Sequence, residues 1–422
     1  MRILHISDHA DPLATPGGEF CGGQNVYVRE LARRLADSGC TVDVVTRWAD
    51  RRLARQEPIA PGARTVRVPA GPVGPLPRER FGEVLDEFCE GVVGLHEETG
   101  GYDVVHSHYW YSAVAALRLG ERHPVPLVHT HHSLGAMRRA AIGRDAADEA
   151  GEHFAARHRI ERRIGLRAAA VVASSPGELA DLERQWGTPR HTLHMVPPGV
   201  DTAVLTPRDP ALARAELGLP GDAPVVLFVG RLEPRKGLAD LVSAFALVRR
   251  AVPGAVLVVV GGEAPERRAD PGPLAALVER HGLRGSVDLR GPVPHAATAR
   301  YYSAADVTAV PSHYEPFGLV AVESMACGTP VVATRVGGLR WSVADPSVGT
   351  LVPPRNPAAL AKALVDVLTS GTAERRQACL DRATSVYCAE RWADDIRAIY
   401  RRVAAPHIAA TGAEQPPLRR RL

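Results

Sequence analysis

The stretch Val310-Pro311-Ser312-His313-Tyr314-Glu315-Pro316-Phe317-Gly318-Leu319-Val320-Ala321-Val322-Glu323 decides how this chain is read. It follows an apolar, strand-like run from Ala305 to Val310 and leads into a helix-like segment from Leu319 to Ala326. Cys327-Gly328-Thr329-Pro330 then turns the chain into another strand, Val331 to Thr334. Pro316 suits a helix start because its missing N–H would be an orphan there, and Gly318 lets the backbone approach a ligand closely. The free amides of Gly318, Leu319 and Val320 would point out of the positive end of that helix, where a diphosphate binds with few charged side chains. Glu315 and Glu323 flank these amides. A carboxylate repels phosphate and accepts hydrogen bonds from hydroxyl groups. A diphosphate with hydroxyls on both sides describes a nucleotide sugar.

Outward from this stretch, apolar strand-length runs alternate with amphipathic helical segments. Residues 41–46, 104–107, 127–130 and 170–173 are such runs in the first half, and 225–229, 256–260 and 331–333 in the second. Continuous apolar strands joined by helices imply parallel sheets covered on both faces, the doubly wound α/β class, here present twice. Helix 24–37 carries Val26, Val28, Leu31, Leu35 and Ala36 on a broad apolar face and stops at Ser38-Gly39. A stiff connector is expected at Val196-Pro197-Pro198-Gly199-Val200-Asp201. The expected organisation is one Rossmann-like domain over 1–200, a second over 207–389, a helix over 390–404 returning to the first, and a disordered tail over 405–422. Ligands of open α/β sheets lie outside the carboxyl ends of the strands, so the site belongs in the cleft between the domains.

Two further motifs meet at that cleft. Phe228-Val229-Gly230-Arg231-Leu232-Glu233-Pro234-Arg235-Lys236-Gly237 sits where a strand ends and a helix begins. Gly230 leaves room for a ligand, and Arg231 and Lys236 would face the amides of 318–320. Charge grows on a diphosphate as its bond to sugar breaks, and fixed cations and amides aimed there stabilise the transition state. Arg235 is expected to be solvated. In the first half, Gly17-Gly18-Glu19-Phe20-Cys21-Gly22-Gly23-Gln24-Asn25 precedes a helix and offers a second anion-friendly loop, with Gly22 and Gly23 nearest the helix. His106-Ser107-His108-Tyr109-Trp110 and His129-Thr130-His131-His132-Ser133 end successive strands and are expected to point into the cleft, with His131 the exception as a packing residue. Val336-Gly337-Gly338 is either a plain turn or a close-approach loop.

Glu315 and Glu323, spaced by seven residues within E-P-F-G-L-V-A-V-E, resemble the motif of the retaining family-four glycosyltransferases of GT-B fold. The resemblance runs from about residue 1 to 404. It implies that Glu315 holds hydroxyls of the donor sugar, Glu323 the ribose diol, and Arg231 and Lys236 the diphosphate, without a metal ion or other cofactor. It implies further donor contacts from Gly22, Gly23, Gly230, the backbone of Val293, and Phe317, Gly318, Leu319 and Val320. His132 corresponds to a histidine beside the anomeric centre, and His132, Glu315, Arg231 and Lys236 form the expected catalytic set. The G-G-x-N-V-Y-V start is similar to that of two branches, the inositol-phosphate N-acetylglucosaminyltransferases of mycothiol synthesis and the sucrose-phosphate synthases. From the former, an acceptor phosphate would be held by Arg78, Tyr109, Ser133 and one of Arg157 or Arg159. The implied reaction moves a hexose-like sugar from a UDP- or GDP-linked donor to a small polar acceptor, with an inositol phosphate, a sugar phosphate, an aminocyclitol or a small thiol all open. An oxidoreductase is disfavoured because no G-x-G-x-x-G follows the first strand, and a non-catalytic sugar-binding module would have lost the donor residues.

Composition narrows the rest. A chain of 422 residues exceeds one ordinary core and fits two domains. The net charge of +4, partly carried by Arg419-Arg420-Arg421, makes no case for nucleic acid. No apolar run reaches membrane-span length, and Met1 to Ile6 reads as a first strand, not a signal peptide. The six cysteines form no C-x-x-C pair and read as thiols of a reducing cytoplasm. His129, His131 and His132 lack clustered Asp or Cys partners and are not expected to bind metal. A homodimer is compatible with the sequence.

Overall fold

Alternation of inward-facing residues along short apolar strands builds two sheets, each buried on both faces. In a computed structural model, which describes residues 1–14, 22–143, 151–262, 272–370 and 373–412, the first sheet comprises β1 (Arg2–Ile6), β2 (Thr41–Arg47), β3 (Gln56–Ala60), β4 (Ala63–Val68), β5 (Val104–His108), β6 (Leu127–Thr130), β7 (Ala170–Ala173) and β8 (Leu193–Met195). Its order is β3-β4-β2-β1-β5-β6-β7-β8, parallel except for the edge strand β3. The second comprises β9 (Val225–Val229), β10 (Val256–Val260), β11 (Val287–Gly291), β12 (Val307–Val310), β13 (Val331–Thr334) and β14 (Gly349–Val352), in the order β11-β10-β9-β12-β13-β14. Each sheet reverses its winding beside its first strand, at β1/β5 and at β9/β12. Such switch points leave a crevice at the strand ends; residues 106–110 run off the end of β5 at the first, and residues 230–237 and 311–323 follow β9 and β12 at the second.

The faces sort by residue parity. Ile3, Val42, Val44, Val104 and Val128 share one core with Val28, Leu31, Trp392, Ile396 and Tyr400. Leu4, Val45, Val105 and Leu127 share the opposite core with Phe88, Val92 and Trp186. The helix of residues Ala389–Gly412 therefore lies across the first sheet, although it follows the second domain in sequence. It extends beyond the expected end at residue 404, so the expectation of a structureless segment from 405 is corrected as far as Gly412; residues 413–422 lie outside the described ones.

Two chain segments cross between the sheets side by side. Val200 N–H donates to Tyr387 O at 2.8 Å, and Ala389 N–H donates to Val200 O at 3.1 Å. Gly199 makes this approach feasible: a Cβ there would stand 2.6 Å from Cys388 O. The described cysteines are unpaired thiols, and no described helix is long and apolar enough to cross a membrane.

Candidate active site

The helix Leu319–Ala326 starts at Gly318, whose φ of 94° is left-handed backbone that glycine adopts without strain. A Cβ at Gly318 would also press on Leu339 at 2.5 Å. The residues before it double back, and Gly338 N–H donates to Glu315 O at 3.1 Å and Pro316 O at 3.0 Å. Val336-Gly337-Gly338 is thus packed against the motif. The side chain of Phe317 is buried in the second core beside Tyr387, so its backbone is the part that can meet the cleft.

Lys236 and Glu315 meet directly. Lys236 Nζ donates to Glu315 Oε2 at 2.5 Å, and Ser312 Oγ donates to the same oxygen at 3.2 Å. Burial pushes the Glu315 carboxyl up, but the neighbouring Lys236 and Arg235 cations outweigh it and hold the carboxyl below its usual range. Burial likewise lowers the Lys236 ammonium, which Glu315 only partly restores. Gly237, at φ 69°, is required because a Cβ would strike Pro311 O. Arg231 pairs with Glu233 at 2.6 Å, and Arg235 pairs with the same carboxylate at 2.6 Å. Arg235, expected in solvent, is only 15% exposed as a side chain. Three cations against two carboxylates leave this cluster net positive.

The first domain closes over the cluster. A Cβ on Gly22 would lie 3.7 Å from the Arg231 guanidinium, and one on Gly23 would lie 3.6 Å from Leu319. Arg231 and the helix start therefore flank the same glycine pair. Residues 17–21 of the glycine-rich loop lie outside the described residues. Glu323 is buried and fully engaged: Tyr302 Oη donates to Oε2 at 2.7 Å, and His295 Nε2 bonds to Oε1 at 2.9 Å. Neither His295 nor Tyr302 was singled out in the sequence, because nothing local announces a partner 21 or 28 residues away. Beside Glu323 a cavity of about 360 Å³ opens, lined among others by Tyr27, Arg29, Val200, His295 and Leu319. Val293 is half-buried against the second core, close in sequence to His295.

On the acceptor side the residues divide. Ser133 Oγ lies 3.1 Å from Tyr314 Oη, joining the two domains across the cleft. Arg157 donates to Ser133 O at 2.7 Å and Oγ at 3.3 Å, and to the buried Glu161 at 2.7 Å. Its guanidinium also lies 5.1 Å from the Tyr109 ring centroid. Arg159 is exposed; two residues apart on a helix is more than half a turn, so only Arg157 faces Ser133. The side chain of Arg78 lies outside the described residues. Tyr109 and His132 both hold positive φ, 76° and 56°. Strained backbone of this kind in non-glycine residues is held only where surrounding structure enforces it, and it clusters at functional sites.

The histidines are a correction. His106, Ser107 and His108 do not face the cleft but are wholly buried. His106 and His108 share parity with Val104, so they lie under the C-terminal helix with His5. His129 lies on the opposite face, 2.8 Å from Ser107 Oγ. His131 is buried as expected for packing. His132 alone of these keeps a minor part of its surface exposed, although its ring is desolvated like the others. Asp8 and His9, overlooked in the sequence, close the end of β1: Asp8 Oδ2 lies 2.6 Å from His9 Nδ1 and Ser112 Oγ donates to Oδ1 at 2.5 Å.

Comparison with known proteins agrees with this architecture. A model of "Glycosyltransferase Family 4" matches residues 21–204, and one of "Glycosyl transferases group 1" matches residues 211–386. A D-inositol 3-phosphate glycosyltransferase of Acidothermus cellulolyticus is 42% identical over 376 residues, covering 88% of this chain and 83% of its own. The chain belongs to the family-four glycosyltransferases of GT-B fold. A second glycosyltransferase of the same description, from Kineococcus radiotolerans, is 39% identical over 98% of both chains. Among solved structures, a sucrose-phosphate synthase from Thermosynechococcus elongatus superposes with a TM-score of 0.88 at 37% identity, covering 96% of this glycosyltransferase and 99% of that chain.

Proposed function

We propose that this glycosyltransferase moves a hexose-like sugar from a nucleoside diphosphate sugar to a small phosphorylated polyol or sugar, with retention of configuration and without a metal ion. The observation that carries the donor half is that Lys236 and the helix start at Gly318 adjoin Glu315, while Arg231 and Leu319 flank the Gly22-Gly23 pair of the facing domain. The bond from the anomeric carbon to the phosphate oxygen breaks, and its electron pair goes to the diphosphate. Arg231, Lys236 and the amides of 318–320 would receive that charge. Glu315, held by Lys236 and Ser312, would accept hydrogen bonds from sugar hydroxyls. The acceptor oxygen then bonds to the same face of the anomeric carbon while its proton passes to the departing phosphate oxygen. Glu323 and the adjoining cavity would take the nucleoside, with His295 and Tyr302 yielding to ribose hydroxyls.

A phosphorylated acceptor is supported by the names of the similar proteins, D-inositol 3-phosphate glycosyltransferase and sucrose-phosphate synthase. Tyr109 and Ser133, backed by Arg157, supply phenol, hydroxyl and cation on the acceptor side. Incubation with UDP-, GDP- and ADP-linked glucose and N-acetylglucosamine, against inositol 3-phosphate, fructose 6-phosphate and their unphosphorylated forms, tests this. Product from a phosphorylated acceptor whose anomeric coupling matches the donor is expected. An inverted product, or equal rates with acceptors lacking phosphate, would overturn the proposal.

A further inference from the structure

A continuous line of hydrogen-bonded side chains runs beneath the acceptor domain and ends at His132. His106 Nε2 lies 2.8 Å from Thr130 Oγ1, and His106 Nδ1 lies 2.5 Å from Tyr400 Oη. Tyr400 Oη lies 3.2 Å from His5 Nε2, His5 Nδ1 lies 3.0 Å from His108 Nε2, and His108 Nδ1 lies 2.9 Å from His132 Nε2. Sheet register sets this up. His5 and His106 are paired neighbours on β1 and β5, His108 pairs with Thr130 across β5 and β6, and all four side chains share one sheet face. Tyr400 closes the line from the C-terminal helix, and His5, His106 and His108 are wholly buried. Only Nδ1 of His132 is not used in the line.

The geometry points to a proton-ordered imidazole chain, anchored on Tyr400, that fixes both the ring and the tautomer of His132. Burial lowers the basicity of each of these rings, so each is neutral, donating from one nitrogen and accepting at the other. Tyr400 has a single proton and two imidazole neighbours, so it donates to one and accepts from the other. That leaves two orders for the whole line, and no ring can reverse alone without placing two protons or none in one contact. The contact to His106 is shorter than that to His5 by 0.7 Å (2.5 against 3.2 Å), which assigns the phenol proton to His106. His5 then donates to Tyr400, His108 to His5, and His132 to His108 through Nε2–H. The remaining Nδ1 of His132 carries a lone pair, ready to accept from a sugar hydroxyl. Tyr400, His5 and His108 are positioning residues acting through His132, and the C-terminal helix gains a part in the site from the far side of the sheet.

This rests on the donor reading only for the role of His132, and the test separates the two. The full-length protein is labelled with ring-15N histidine, the His132 signals are assigned with His132→Gln, and spectra are compared with those of Tyr400→Phe and His5→Gln. The wild type is expected to show His132 as a single Nε2–H tautomer. Each variant is expected to move it towards a mixture and to lower kcat about tenfold at an unchanged KM for nucleotide sugar. The two substitutions enter from different elements, so one that fails to fold leaves the other decisive. Unchanged His132 signals in a folded variant would overturn the chain, as would stoichiometric metal in the purified protein, since the nitrogens of His5, His106 and His108 lie close enough to share an ion. Lack of glycosyl transfer by the wild type would remove the functional reading and leave the spectra to decide the chain.

Discussion

Glu315 and Lys236 hold each other at 2.5 Å in a buried setting, and each favours the charged form of the other against burial. Breaking one member of such a pair leaves the other uncompensated. Glu315→Gln keeps the shape, removes the carboxylate and leaves Lys236 facing the diphosphate position. Turnover is expected to fall roughly 100-fold, while nucleoside diphosphate affinity, measured by calorimetry, stays the same or tightens. A parallel loss of both would mean that Glu315 is not a sugar contact. Gly318 is the second decisive residue. With φ at 94° and Leu339 in the way of a side chain, Gly318→Ala is expected to cost on the order of 1–3 kcal/mol, read as a lowered midpoint in urea. An unaltered midpoint would show that the helix start tolerates another backbone geometry.

At the scale of elements, the two crossing segments matter most. Gly199 meets only backbone on the returning segment: Cys388 O at 2.6 Å, Cys388 C at 2.8 Å and Ala389 Cα at 2.9 Å. Backbone cannot rotate aside as a side chain would, so Gly199→Ala must push the crossings apart. Both the thermal midpoint and kcat are expected to drop, because these segments set how the sheets face each other. Gly221→Ala, where a Cβ meets nothing within 4 Å, serves as the control and should change neither. A Gly199→Ala protein with wild-type midpoint and rate would sink this account.

Over the whole molecule, the burden of buried neutral histidines predicts an acid limit. Burial depresses His5, His131 and His132 to about 3, and lowers His106, His108 and His129 well below the usual histidine range. The unfolded chain takes up protons at these rings near pH 6.5, whereas the folded chain does not. Their stability is therefore intact above about 6.5 and is lost as pH falls towards the folded values, by up to about 1.4 kcal/mol per pH unit for each ring. Urea unfolding at pH 7, 6 and 5 should show a steep decline, and His5→Gln should flatten it by about one proton. A slope indifferent to pH in this window would contradict the buried neutral assignment.

Much of this was legible in the chain. Strand-length apolar runs implied two doubly wound sheets because strands covered on both faces carry apolar residues at every position, and Gly318 marked the turn before its helix because glycine adopts left-handed backbone without strain. Glu315, Lys236 and Arg231 could be picked out as local motifs, since helix starts and strand ends are set by a few neighbouring residues. What the tertiary structure alone decided depends on contacts between distant segments. It chose Arg157 over Arg159 by helix face, buried His106 and His108 by the parity of β5, supplied His295 and Tyr302 to Glu323, and brought Tyr400 under His5. Spacing along a chain fixes which side of an element a residue occupies, but only the order of strands in a sheet and the path of a returning helix fix what that side meets.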